Sequence, residues 1–149
     1  MKIGAICSAG GSAFFNAVDI LVKSNTYTYN DFFLVTDRVC MAEKESEARG
    51  IRCKRIIQVD NAKFSQEAAK YFISKNCNMV ILFYSRLVTA DLFCKIASFN
   101  IHPSLLPCYK GFDALGRAKR DGAKFLGATL HLISDVADSG MIVSQVVCP

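Results

Sequence analysis

Short apolar runs alternate along this chain with longer amphipathic stretches. Residues 2–7 form a brief, nearly unbroken apolar run, the pattern of a buried strand, and Ser8-Ala9-Gly10-Gly11-Ser12 follows as a small-residue loop. Phe14, Val18, Leu21 and Val22 then recur at helical spacing. Residues 32–36 make a second strand-like run closed by Asp37, and the charged segment 41–49 predicts an exposed helix stopped by Gly50. Residues 51–59 predict a third strand, near an edge because Arg52, Lys54 and Arg55 interrupt it. Asp60 is placed to cap a helix over 61–75 whose buried stripe is Phe64, Ala68, Phe72 and Ile73. Residues 79–84 are continuously hydrophobic, as in a central parallel strand covered on both faces. A short helix over 89–96, a brief strand over 98–101, a helix over 112–122 and strands over 128–133 and 141–147 complete the pattern.

Strands alternating with helices of this length imply right-handed crossovers and an α/β fold, a doubly wound, mostly parallel, Rossmann-like sheet. In such sheets ligands bind beyond the carboxyl ends of the strands. That rule places the Gly10/Gly11 loop, Arg86, Asn100 and His102 on one rim. A helix opening at Ser12 would offer free N–H groups and its dipole to an anion, so Gly10, Gly11 and Ser12 are candidate substrate-binding residues. The loop has no Gly-Lys-Ser/Thr and lacks the full Gly-x-Gly-x-x-Gly fingerprint, and a turn that simply needs glycine is the plain alternative.

The 149 residues, 52% hydrophobic, suffice for one domain spanning 1–149 with a real core. No apolar run approaches the ~20 residues needed to cross a bilayer, and the opening residues do not resemble a leader peptide. A cytoplasmic protein is expected. Seven cysteines, odd in number, widely spread and without a Cys-x-x-Cys pair, read as reduced, mostly structural thiols, with Cys108 alone near the candidate site and no metal centre expected. The net charge of +5 suits steering of an anionic small molecule, and the scattered Lys and Arg residues argue against nucleic acid.

The candidate chemistry lies in Phe99-Asn100-Ile101-His102-Pro103-Ser104-Leu105-Leu106-Pro107. Pro103 holds His102 out of helical geometry, and Asn100 and His102, two apart on a strand, share a face. A carboxamide beside an imidazole can polarise an electrophile. Both lie at a strand end, so alanine at either position is expected to spare the fold.

Asn100 to Pro107 resembles the signature of the folate-dependent formyltransferases, closest to the phosphoribosylglycinamide branch. Ser134-Asp135-Val136-Ala137-Asp138-Ser139-Gly140 resembles the acidic loop of the same family. The resemblance implies a formyltransferase fold, 10-formyltetrahydrofolate as co-substrate, a small anionic amine such as glycinamide ribonucleotide or an amino-sugar nucleotide as acceptor, and catalytic roles for Asn100, His102 and Asp138. It also assigns Arg86, Leu87 and Val88, in the loop over 84–88, to folate binding. His131 reads as a strand residue rather than a second base.

Departures from the family pattern are plain. Ala13 stands where the glycinamide ribonucleotide enzymes carry asparagine, Phe112-Asp113-Ala114-Leu115 replaces a His-Thr-His run, and those enzymes continue beyond the position of Pro149. Activity of the chain by itself is expected to be low unless a partner subunit, as in a homo-oligomer, supplies the site wall that those further residues build. Two other readings remain: a formyltransferase-fold binding domain that has lost turnover, and a nucleotide-binding module using only the Gly10/Gly11 loop.

Overall fold

The computed structural model describes residues 1–84 and 86–148. The chain divides into two compact units, Met1–Ala97 and Ser98–Pro149.

In the first unit, β1 (Ile3–Cys7), β2 (Phe32–Thr36), β3 (Arg52–Arg55) and β4 (Met79–Phe83) form a parallel array in the order β3-β2-β1-β4. Every residue of β1 and β2 is buried. Side chains alternate across a strand, so the two faces need separate covers. On one face Ile3, Ala5, Cys7, Phe32 and Leu34 cluster with Phe14, Phe15 and Val18 of α1 (Ser12–Lys23) and Ala42 of α2 (Met41–Ala48). The other face receives α3 (Asn61–Ser74), whose Phe72 ring stands where a Gly4 side chain would be: a Cβ on Gly4 would lie 2.6 Å from it. Helices on both faces make this unit doubly wound, as the α/β pattern requires.

Asp60 caps α3 as expected, its carboxylate accepting from Lys63 N at 2.7 Å. Ile73 is a correction, being 49% exposed. It lies one residue past Phe72, about 100° round the helix and off the stripe. The third strand shrinks to four exposed residues, because its charges suit an edge and the chain turns away after Arg55. β4 alternates buried and half-buried positions, so the continuous burial expected there belongs to β1 and β2. The expected helix over 89–96 shortens to α4 (Ala90–Phe93).

The second unit is an antiparallel meander of β5 (Ala97–His102), β6 (Leu126–Leu132) and β7 (Ile142–Cys148), with α5 (Ala114–Arg120) between β5 and β6. The β5–β6 register sets Asn100 opposite His131 and His102 opposite Thr129. Gly140 permits the tight return into β7, since a Cβ there would lie 1.8 Å from the Leu132 carbonyl oxygen. The seven cysteines are free, and Cys53, Cys94, Cys108 and Cys148 are exposed. Of the others, Cys7 is buried, and burial pushes its thiol up to about 12.

Candidate active site

In the first unit the loops after β1 and β4 leave adjacent strand ends, Cys7 lying opposite Phe83. The sequence order reverses there, since β1 is flanked by β2 on one side and β4 on the other. Such a reversal is the usual ligand crevice of an open α/β sheet. Gly11 is the N-cap of α1 at φ 66°, a left-handed conformation that favours glycine, and no side chain caps the helix. A Cβ on Gly11 would press on the Phe15 ring at 3.1 Å and Cys7 Sγ at 3.3 Å, whereas one on Gly10 would meet nothing within 4 Å. Ser12 is exposed. Ser8 Oγ and Tyr84 Oη are buried without a partner among the described residues, so both keep hydrogen-bonding capacity.

The Arg86 side chain is already committed within the protein. Its guanidinium donates to Asn61 Oδ1 at 2.6 and 3.1 Å, to Gln58 O at 2.9 Å and to Val59 O at 2.6 Å, and it faces the Asp37 carboxylate at 3.9 Å. It ties the chain entering α3 to the loop after β4. In the same loop Leu87 is 59% exposed and Val88 half-buried, and Ser85 lies outside the described residues. Burial alone would push the Asp37 carboxyl up, but the Arg38 contacts at 2.6 and 2.9 Å, with Arg86 beyond, bring it below its ordinary range. Both Asp37 oxygens are thus bound by Arg38.

In the second unit Asn100, His102 and Asp138 converge. Asp138 sits in the β6–β7 loop at φ 52°, a left-handed conformation that Asp tolerates better than most residues. Its Oδ2 accepts from Gly111 N at 2.7 Å and faces His102 Nδ1 at 3.3 Å, while its Oδ1 lies 3.5 Å from Asn100 Nδ2 and 3.4 Å from His131 Nε2. His102 Nε2 is 2.9 Å from the Tyr109 carbonyl oxygen. A carbonyl only accepts, so Nε2 carries a hydrogen, and a second one on Nδ1 would pair with the carboxylate.

Backbone contacts hold the loop after His102. Thr129 Oγ1 donates to Ser104 O at 2.7 Å, and accepts from Leu106 N at 3.0 Å and Gln145 Nε2 at 2.9 Å. Gln145 also donates to Leu106 O, and Ser104 Oγ to Cys108 O. A buried hydroxyl with one donor and two acceptor contacts is fully satisfied, and it locks β6 and β7 to this loop. Beside it lies a cavity of about 100 Å³ whose lining includes Pro103, Leu105, Cys108, Tyr109 and Phe125. One expectation needs correcting. His102 is only 4% exposed with both ring nitrogens engaged, so alanine there would leave a hole and strand polar partners.

The formyl transferase family matches residues 1–149. The chain belongs to that family. Phosphoribosylglycinamide formyltransferase of Bacillus subtilis (strain 168) is 28% identical over 153 residues, covering 97% of this chain and 78% of that relative. Formyltetrahydrofolate deformylase of Mycobacterium bovis is 31% identical over 89 residues, 58% of this chain and 29% of that relative. Glycinamide ribonucleotide transformylase 1 from Symbiobacterium toebii superposes with a TM-score of 0.90 at 23% identity, covering all of this chain and 73% of that one. The expectation of a formyltransferase-family enzyme of α/β fold is met at that level. Among the described residues no helix is long and apolar enough to cross a membrane.

One member of the cluster escaped sequence reasoning. His131 is a β6 strand residue, as expected, but its ring joins Asn100 and Asp138. The only available signal was the polar position in the alternating run 129–132. Its partner, 31 residues away, follows from strand register, which the sequence does not display.

Proposed function

We propose that this chain transfers the formyl group of 10-formyltetrahydrofolate to a small, anionic amine, with glycinamide ribonucleotide the first acceptor to test. The observation carrying this reading is the convergence of Asn100, His102 and Asp138 in one hydrogen-bonded cluster. The match along the whole chain, and the names of the relatives aligned over most of it, support the same reading. The uncapped start of α1 at Gly11, with Gly10 and Ser12, suits the acceptor's anionic group, and the backbone over 86–88 suits the folate.

The chemistry asks for a donor to a developing oxyanion and a path for protons. The amine nitrogen attacks the formyl carbon, negative charge gathers on the formyl oxygen, the bond from carbon to N10 breaks, and the proton lost by the amine ends on N10. Asn100 can donate an N–H to that oxygen, and His102 can donate from a ring that becomes cationic. The Asp138 carboxylate faces His102 Nδ1 and stabilises positive charge on the ring as it develops. Asn100 reaches the Asp138 carboxylate only at 3.5 Å, so little is lost when a hydrogen on that side serves substrate instead. His102 gives up a 2.9 Å contact with Tyr109 O to do the same.

Incubation with 10-formyltetrahydrofolate and a panel of amines, following tetrahydrofolate and formate, tests the reading. Amine-dependent release of tetrahydrofolate without formate supports transfer. Release of formate with no amine present points to hydrolysis, and tight folate binding without turnover to a binding domain. Asn100→Ala is expected to lower kcat by about 10²- to 10³-fold, the usual consequence of losing one oxyanion donor. A variant near the wild-type rate would remove Asn100 from that role.

A further inference from the structure

We infer that His131 is a positioning residue for the transfer, setting the orientation of the Asn100 carboxamide against the Asp138 carboxylate. The inference rests on the formyl-transfer reading and adds a member the sequence signature does not contain.

His131 is 2% exposed, and its ring is held at both nitrogens. Nδ1 lies 2.8 Å from the Leu132 carbonyl oxygen, which can only accept, so Nδ1 carries the hydrogen. In the neutral ring Nε2 then presents a lone pair. Two groups face it, Asn100 Nδ2 at 3.3 Å and Asp138 Oδ1 at 3.4 Å, and the same Asn100 nitrogen is 3.5 Å from Asp138 Oδ1. A carboxamide nitrogen has two hydrogens, and one of them can be given to the Nε2 lone pair. Rotating the amide by half a turn would set its oxygen against a lone pair and a carboxylate together. The Nδ1–H tautomer of His131 thus dictates which way Asn100 points.

The consequence is functional. The hydrogen held by His131 fixes the amide plane, and with the plane fixed the second hydrogen points in one direction, where a developing oxyanion can share it. Asn100 and His131 are direct partners across the β5–β6 ladder, so the anchor stands on rigid backbone rather than on a loop.

Two measurements test this. Long-range nitrogen spectra of the histidine rings should show the His131 ring protonated on Nδ1 alone. A hydrogen on Nε2, with or without Nδ1, overturns the inference whatever the enzyme does. Kinetics supply the second measurement. His131→Leu should lower kcat by about 10- to 100-fold while both KM values stay within about twofold, since positioning acts on the transition state. His131→Gln, whose Oε1 can accept from Asn100 where Nε2 did, should recover most of the rate. Equal losses in the two variants, or a leucine variant within about threefold of wild type, would reduce His131 to a packing residue. Should His131→Leu fail to fold, the glutamine variant and the ring spectrum still decide, a poorly active but folded glutamine variant counting against the inference. If the wild-type protein transfers formyl to no amine, the formyl-transfer reading fails, while the spectrum still judges the tautomer.

Discussion

Asp138→Asn separates the charge of the carboxylate from its shape. Asparagine has the same outline and tolerates the left-handed φ of 52°, so the β6–β7 loop should keep its course. Its oxygen can still accept from Gly111 N, the shortest contact of the carboxylate at 2.7 Å. The new amide nitrogen then stands near Asn100 Nδ2, formerly 3.5 Å from Oδ1, and two donors meet. The negative charge 3.3 Å from His102 Nδ1 is also gone. A hydrogen bond to a charged group is worth roughly 1.5–3 kcal/mol, and each ~1.4 kcal/mol is tenfold, so kcat should fall by about 10- to 100-fold. Steady-state release of tetrahydrofolate with saturating amine reads that loss, and a thermal melt checks the fold. A folded Asp138→Asn protein within threefold of the wild-type kcat would show that charge at this position does not drive the reaction.

Gly10→Val should raise the KM of an anionic acceptor several-fold with little change in folate affinity or melting temperature, because a side chain there is free of the protein but crowds the start of α1; an unchanged acceptor KM returns the loop to a purely structural turn. Arg86→Ala should cost about 2–3 kcal/mol in urea unfolding, since it removes contacts to Asn61, Gln58 and Val59 and leaves the buried Asp37 carboxylate with Arg38 alone. A loss of folate affinity with no loss of stability would instead restore a direct binding role. Acid should destabilise the first unit. The Arg49 hydrogen bonds hold the Asp19 carboxyl below its ordinary range and the Arg55 hydrogen bonds do the same for Glu43. Carboxyls depressed in the folded state add stability above their unfolded pKa values near ~4, and that stability is lost as pH falls through the folded values. Urea midpoints measured from pH 7 downwards should therefore decline below about pH 4, and Arg49→Met should flatten the decline.

Much of this protein could be read directly from the order of its residues. Alternating apolar runs and helical stripes located the strands and principal helices, Asp60 marked the start of α3, and Asn100 to Pro107 marked the family, because these features depend on neighbours within about two turns of chain. Contacts between distant residues had to wait for the fold. Arg86 read as a ligand contact, yet the course of the chain into α3 surrounds its guanidinium with Gln58, Val59 and Asn61. His102 read as a strand-end residue whose loss would spare the fold, but the returning loop brings the Tyr109 carbonyl to its buried ring. His131 read as one polar position in an alternating strand, and only the β5–β6 register sets it opposite Asn100. The physical reason is common to the three. Local pattern specifies which element forms and which face is apolar, whereas the partner of a buried polar group depends on strand register and loop path, which are settled only when the whole core packs.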